Sequence, residues 1–574
     1  MILQALNNYY YRLKDNPDID IPLQGFSRQK IHFALIIDQK GKLIQIRDIR
    51  EQVGKKILPK SLIVPAATIR AVNISANFLW DNTGYVLGSD LKDDSVRASL
   101  TFKAFKELHH IIGDELNDDG MIAVLRFLDS WKPASVTELQ YWEDFKTGAN
   151  LIFQLDGELR YIHERPEIRK AWLTYLCTNQ STHKDFCLVT GEIQPISRLH
   201  PKIKGVRDAQ SMGAAIVSFN LDAFCSYQKE QNFNAPIGEE ATFNYTTALN
   251  HLLGISSRQR IQIGDATTVF WTERASPIEG FMGMVLNPQD DAGEIKEVRA
   301  FLEAARDGKN LPEIDPGLGF YILGLSPNAS RLSVRFWYVS TVGDISEKIG
   351  QHFRDLSIVK QYENDPEFPG IRQILLETFI NHKSKTKPNW DNLKPLLTGS
   401  IMRSILTGTQ YPYTLLTAII GRIRADQTIN YFRAAIIKGF LSRKNRITNH
   451  GQEVSMSLDK ESTNIAYRLG RLFAILEKAQ RDAIPGANAT IKDRYYSSAS
   501  ATPRVVFPQL LRLAQHHIQK AEYGGRSDKM IEDIMQGINT FPTHLSLDDQ
   551  GMFAIGYYHQ RNALFTKSEN QKEV

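Results

Sequence analysis

Only three cysteines, Cys177, Cys187 and Cys225, occur in 574 residues. That is too few for a disulfide framework and suits a reducing compartment. Their spacing also argues against zinc. Cys177 and Cys187 stand ten apart with His200 following, whereas structural zinc sites are built on close pairs such as C-x2-C. No run of about 18 apolar residues is present, so no membrane-spanning helix is expected. The opening MILQALNNYYYRLK lacks the basic and long apolar regions of a secretory signal. Together these absences lead to the expectation of a cytoplasmic protein. Reaction signatures are missing as well. There is no G-x-S-x-G elbow and no G-x-x-x-x-G-K-[ST] phosphate loop, and the glycines of GLGFYILG are in the wrong order for a dinucleotide fingerprint. The expectation is a binding protein with no cofactor, no metal and no catalytic centre.

What the chain does contain is length, helical periodicity and an uneven distribution of charge. A chain of this length is expected to form two or three domains. Residues 1–350 read as a mixed α/β region. IHFALIID, the QKGK turn and LIQIRDI form a predicted hairpin, with YVLG, TTVFW and RLSVRFWYV as further strands. SVRASLTFKAFKELHHII, RKAWLTYLC and EIKEVRAFLEAARDG are predicted helices. Residues 351–388 read as a connecting segment. From residue 389 to 574 amphipathic helices follow one another, and Ile465, Leu469, Leu472, Phe473 and Leu476 share one face. The expected fold class is α+β: a mixed α/β N-terminal region followed by an all-helical C-terminal bundle.

The net charge is +5, but residues 389–574 carry 24 Lys and Arg against 16 Asp and Glu. Between Ile401 and His450 the ratio is 8 to 1. Such an excess marks either a polyanion-binding surface or an ordinary solvated helix face. Arg422, Arg424, Arg433, Lys438, Arg443, Lys444 and Arg446 are the candidates for tracking a phosphate backbone. A second candidate is HPKIKGVRDAQSMGAAIVSFN, residues 200–220. Lys202, Lys204 and Arg207 would contact phosphates, and Gly205 and Gly213 would allow close backbone approach. Gln210 both donates and accepts, which suits a groove edge or a wedge between bases; the plain alternative is a basic turn. A third is residues 68–88, where Arg70, Asn73 and Asn77 are polar donors beside Trp80. The rival reading is a metal-dependent nuclease or hydrolase using His109, His110 and Asp114. It is weakened because adjacent helical residues diverge by about 100°.

Several stretches match a known family. MILQAL, CLVTGE, HPKIKGV, SFNLDAFCSY with NAPI, YTTALNHLL, FYILGLSPNASRLSVRFW, YRLGRLFAILEKAQ, SASATPRVVFPQLL and QGMFAIGYYHQ lie along essentially the whole chain. It resembles the large subunit of the type I-C (Dvulg subtype) CRISPR surveillance complex, Cascade. The resemblance implies a non-catalytic subunit of an RNA-guided antiviral complex. Such a subunit recognises the protospacer-adjacent motif in duplex DNA, promotes duplex opening, stabilises the R-loop and recruits a helicase-nuclease. Guide pairing supplies most of the sequence information. The implied partners are the guide crRNA, target double-stranded DNA and its displaced strand, and the other Cascade subunits: handle-binding, backbone and small. No membrane partner is implied. Related large subunits use a glycine loop, a lysine finger and a glutamine wedge, and the Lys202–Gly213 segment contains these ingredients. The resemblance further implies an internal start at Met456, yielding a small-subunit module of residues 456–574.

Overall fold

The computed structural model describes all residues except 55, 69–73, 90–94, 180–182, 287–295, 310–313, 380–394, 450, 452, 487, 523 and 566–574. The chain forms two compact units. The first comprises Met1–Gly205, Ala209–Gly254 and Asn328–Leu332; the second comprises Val206–Asp208, Ile255–Pro327 and Ser333–Val574.

The first unit is built on a four-stranded mixed sheet. Its strand order is Leu43–Asp48, Phe33–Ile37, Asn150–Leu155, Trp80–Asn82. The expected hairpin forms, with Phe33–Ile37 antiparallel to Leu43–Asp48. Gly41 turns it at φ +80°, and Asp38 accepts the backbone N–H groups of Lys40 and Lys42. Phe33–Ile37 runs parallel to Asn150–Leu155. Both central strands are almost wholly buried, so they read as apolar runs without alternation. Phe105, Met121, Phe127 and Trp172, from helices Ser95–Gly113, Asp119–Ser130 and Pro166–Thr178, share one core with Phe33, Leu35 and Phe153. Elsewhere in this unit helix Ile2–Lys14 packs on helix Glu239–Leu252, where the Asn244 amide donates to Asn7 Oδ1 at 3.0 Å.

The second unit has an antiparallel sheet ordered Arg260–Ile263, Ala266–Thr272, Gly319–Asn328, Arg331–Thr341. The expected strands TTVFW and RLSVRFWYV lie in it. One hydrophobic core then runs from Phe270 and Ile322 of the sheet, through Ile345 and Phe353, to Leu472, Phe473 and Phe553. The compact units therefore differ from the expected boundary near residue 350. Helix Val342–Leu356 buries Ile345, Ile349, Phe353 and Leu356 in the same core as the later helices, which ties the second sheet to the bundle. Helices Ile465–Ala483 and Leu547–Phe565 pack closely because Gly470 meets the Phe553 carbonyl and Gly556 meets that of Tyr467, leaving no room for a Cβ. Met456 is exposed in the link ahead of this pair.

One expected strand does not form. YVLG lies at the end of a short helix, Thr83–Val86, because Asn82 caps it by accepting from the Gly84 N–H at 3.0 Å. AAIVSFN makes only isolated bridges, Ala214 with Ile203 and Ala215 with Arg331.

Candidate nucleic-acid interface

His200 opens the segment 200–220 from inside the first unit. It is buried, its Nδ1 lies 2.6 Å from the Tyr245 hydroxyl, and burial lowers its pKa to about 4. It is a neutral core histidine. Beyond it Ile203 and Ala214 exchange backbone hydrogen bonds of 2.8 and 2.9 Å, closing the neck of a loop. Asn250, on helix Glu239–Leu252, braces that neck. Its Oδ1 accepts from Lys204 N at 2.8 Å and its Nδ2 donates to the Lys202 carbonyl at 3.2 Å. The two glycines serve the neck and not a ligand. Both have φ +91°; a Cβ on Gly205 would sit 2.6 Å from the Leu253 carbonyl oxygen, and one on Gly213 2.7 Å from that of Ile203. The close backbone approach expected at the two glycines is made by the chain's own carbonyls.

Rigidly held at its base, the loop presents Lys202, Lys204 and Gln210 to solvent. Among the described residues no hydrogen bond or ion pair engages the side chains of these three. The Lys204 ammonium is held below the ordinary lysine value by desolvation and by the charge of Lys30. Arg207 clusters with the second unit, where its backbone N–H donates to Thr267 Oγ1 at 3.0 Å; its guanidinium is 3.6 Å from Asp208.

The segment 68–88 does not present Asn77. That residue is buried, its Oδ1 accepts from Thr68 N at 2.9 Å, and its own N–H donates to Asp81 Oδ2 at 2.9 Å. It braces a turn beside Trp80, whose Nε1 donates to the Pro65 carbonyl. Arg70 and Asn73 lie outside the described residues.

The expected basic face on residues 422–446 is turned inward. Arg422, Arg433, Lys438 and Arg443 are buried. Arg433 pairs with Glu377 at 2.7 Å and with Asp426 at 2.6 Å, and Arg422 pairs with Asp426. Arg443 reaches Asp355 at 2.9 Å, donates to the Ser404 carbonyl and lies over the Tyr411 ring. Arg446 closes on the same carboxylate through two hydrogen bonds of 2.7 and 2.9 Å. Lys438 donates to the Asp355 carbonyl at 3.1 Å. Lys444 pairs with Asp548, and Arg424 donates to Gln550 Oε1. Helix Tyr431–Thr448 runs through the core, so its cations must be neutralised where they lie. Of the acids that do so Asp426 is local, whereas Asp355, Glu377 and Asp548 stand far away in sequence.

An accessible basic surface occurs instead on helix Pro503–Lys520, which has no acidic residue. Arg504, Arg512, His516 and Lys520 are exposed together with Gln509, Gln515 and Gln519. Among the described residues no ion pair engages Arg504, Arg512 or Lys520. Gln509 Nε2 donates to the Tyr495 hydroxyl at 3.4 Å, on the adjoining helix Ile491–Ala499, which also exposes Arg494. Charge along the sequence does not single this surface out, since helix Tyr431–Thr448 has no acidic residue either.

The rival hydrolase constellation does not assemble. His109 is fully buried: its Nδ1 donates to the Phe105 carbonyl at 2.7 Å, its Nε2 accepts from Leu79 N at 2.9 Å, and burial lowers its pKa to about 4. Both ring nitrogens are thus occupied. His110 points elsewhere, 2.7 Å from Asp114 and 3.1 Å from Asp129, and these contacts raise its pKa. Among the described residues no group of three or more His, Cys, Asp or Glu is arranged to hold a metal ion. No described helix is long and apolar enough to cross a membrane.

No curated protein matches this sequence. The family model described as CRISPR-associated protein (Cas_Csd1) matches residues 6–565, nearly the whole chain, and the chain belongs to that family.

Proposed function

We propose that this protein is the non-catalytic large subunit of a type I-C Cascade complex. In this reading it recognises the motif flanking the target in duplex DNA, promotes duplex opening, stabilises the R-loop and provides the platform for a helicase-nuclease. The observation that carries the reading is the braced loop with three unengaged polar side chains. A point of entry into duplex DNA needs groups that are fixed in position and free of internal partners. Lys202 and Lys204 offer charge to phosphates, and Gln210 offers a paired donor and acceptor to a groove edge or an opened base step. The Pro503–Lys520 helix supplies a sequence-independent surface for single-stranded DNA. Family membership supports placing both in an RNA-guided complex.

The test is the assembled complex on two targets, one fully duplex and one pre-opened beside the flanking motif. Gln210→Ala is expected to slow R-loop formation on the duplex by about tenfold, a difference of about 1.4 kcal/mol, while leaving binding to the pre-opened target close to wild type. Equal loss on both targets would reduce Gln210 to a plain contact, and no loss on either would remove the loop from the interface. Magnesium alone is expected to support no cleavage until the helicase-nuclease is added.

A further inference from the structure

The tip of the loop that carries Lys202, Lys204 and Gln210 is apolar. Met212 stands there with 77% of its surface exposed. Single exposed apolar side chains are ordinary, but this one sits on a fixed support. Ser211 and Met212 are the central residues of a turn closed by the Gly213 N–H, which donates to the Gln210 carbonyl at 2.8 Å. Directly behind the turn, Ala214 exchanges two backbone hydrogen bonds with Ile203, in the neck that Asn250 braces. A side chain held out in this way costs little backbone freedom when it is buried against something else.

The cations of the loop are set beside this tip. Ile203 is buried, so alternation along the extended segment turns Lys202 and Lys204 to the side opposite it. Their stems lie against the residue that follows Met212: a Cβ on Gly213 would come within 3.0 Å of Lys202 Cβ and 3.1 Å of Lys204 Cγ. Both lysines are exposed, and Lys204 also feels the like charge of Lys30. Residues 200–220 contain a single carboxylate, Asp208, which lies 3.6 Å from Arg207. The tip therefore combines an apolar end with two cations that no ion pair engages among the described residues.

We propose that Met212 is an apolar wedge for duplex DNA: its side chain enters between two base pairs beside the target while Lys202 and Lys204 hold the backbone phosphates. The combination of groups selects this occupant. A base step offers apolar faces to the thioether and, on its outside, phosphates to the ammonium groups. A protein recess that buried Met212 would also have to desolvate both lysines and supply a carboxylate to each. A second copy of this chain docked through the same tip would oppose like charges. Methionine is unbranched and polarizable, which suits it to the irregular gap of a parted step. Gln210, the first residue of the same turn, keeps its amide for base edges. The proposal rests on the functional reading of this loop and divides the work within it: Gln210 engages bases that Met212 has parted.

The experiment uses the assembled complex and a guide-matched DNA duplex, selected from a pool randomised in the flanking bases for opening by the wild type. The duplex carries 2-aminopurine at the first step beside the target, where its fluorescence rises on unstacking. Met212→Ser is expected to slow that rise about tenfold, and Met212→Leu to keep it close to the wild type. Both variants are expected to bind a pre-opened target as the wild type does, and to melt with it as free chains, since the side chain is exposed. Replacing Lys202 and Lys204 by Gln is expected to weaken binding to both targets and to flatten its salt dependence. An unchanged rise with Met212→Ser overturns the wedge. Equal slowing by Met212→Ser and Met212→Leu also overturns it, because apolar bulk at the tip would then not be what acts. Loss of the Met212→Ser chain from the complex without DNA overturns it in favour of a protein contact. If Gln210→Ala and the lysine substitutions act while Met212→Ser does not, only the wedge falls; if none of them affects either target, the functional reading of the loop falls with it.

Discussion

Arg443 has no accessible surface, yet its guanidinium is permanently charged. It is tolerated because Asp355, itself 2% exposed, accepts from it and from Arg446 at the same time. Burial alone would raise the Asp355 pKa. The hydrogen bonds of Arg446 and the charge of Arg443 outweigh that and hold it below the ordinary carboxylate value. Removing one partner from such a cluster leaves an uncompensated buried charge. Arg443→Ala is expected to destabilise the protein by about 3 kcal/mol, at the low end for a buried pair because Arg446 stays on Asp355. Arg446→Ala is expected to cost less, since that guanidinium is 43% exposed and part of its energy is screened by solvent. Urea unfolding curves of the two variants check the order. A larger loss from Arg446→Ala would show that the exposed partner carries the cluster.

Helices are where the sequence is most informative and also where it misleads. Ile465, Leu469, Leu472 and Phe473 fall on one face at helical spacing, and helix Ile465–Ala483 forms with Leu469, Leu472 and Phe473 buried and Ile465, its first residue, exposed. Periodicity identifies an element but not the depth at which it lies. Helix Tyr431–Thr448 is basic in sequence and central in the fold, because Glu377, Asp355 and Asp548 reach it from other segments. No window along the chain contains both halves of those pairs. Helix Pro503–Lys520 carries fewer cations, and among the described residues no ion pair engages Arg504, Arg512 or Lys520. The difference has a direct readout. Replacing Arg504, Arg512 and Lys520 together by Gln is expected to lower the slope of log affinity against log salt for single-stranded DNA by about 2. The fold is expected to survive, since all three side chains are exposed. An unchanged slope would take this helix out of the interface. The loop 200–220 is an intermediate case. Its lysines and Gln210 were legible as candidates, whereas the purpose of Gly205 and Gly213 emerged only from the carbonyls of Leu253 and Ile203 packed against them.

At the scale of the molecule, both units share one vulnerability that the sequence does not announce. Each buries histidines away from solvent: His109, His163 and His200 in the first, His352 and His559 in the second. Their partners accept or donate without charge: the Phe105, Ile63 and Tyr245 oxygens in one unit, the Tyr411 and Tyr467 hydroxyls in the other. Desolvation lowers the pKa of His109, His163, His200 and His559 to about 4, and that of His352 to about 3. Nearby cations push the same way, Arg169 at His163, Arg443 at His352 and Lys438 at His559, while Asp355 and Asp459 oppose only in part. An unfolded histidine takes up its proton near pH 6.5. Below that value the unfolded chain therefore binds more protons than the folded one, and stability falls as the pH drops toward 4. Above 6.5 the contribution is fully present. Carboxylates such as Asp355, whose folded pKa is depressed, add their loss only at lower pH, as the pH falls through that value. The melting temperature is thus expected to fall by at least about 10 °C between pH 7 and pH 5, before most carboxylates titrate. His200→Gln keeps a hydrogen-bonding side chain beside Tyr245 but cannot titrate, so its melting temperature should fall less over the same range than that of the wild type. Thermal melts of both proteins decide the matter: a flat profile in the wild type, or parallel profiles in the two, would mean that these buried imidazoles do not set the acid limit of the fold.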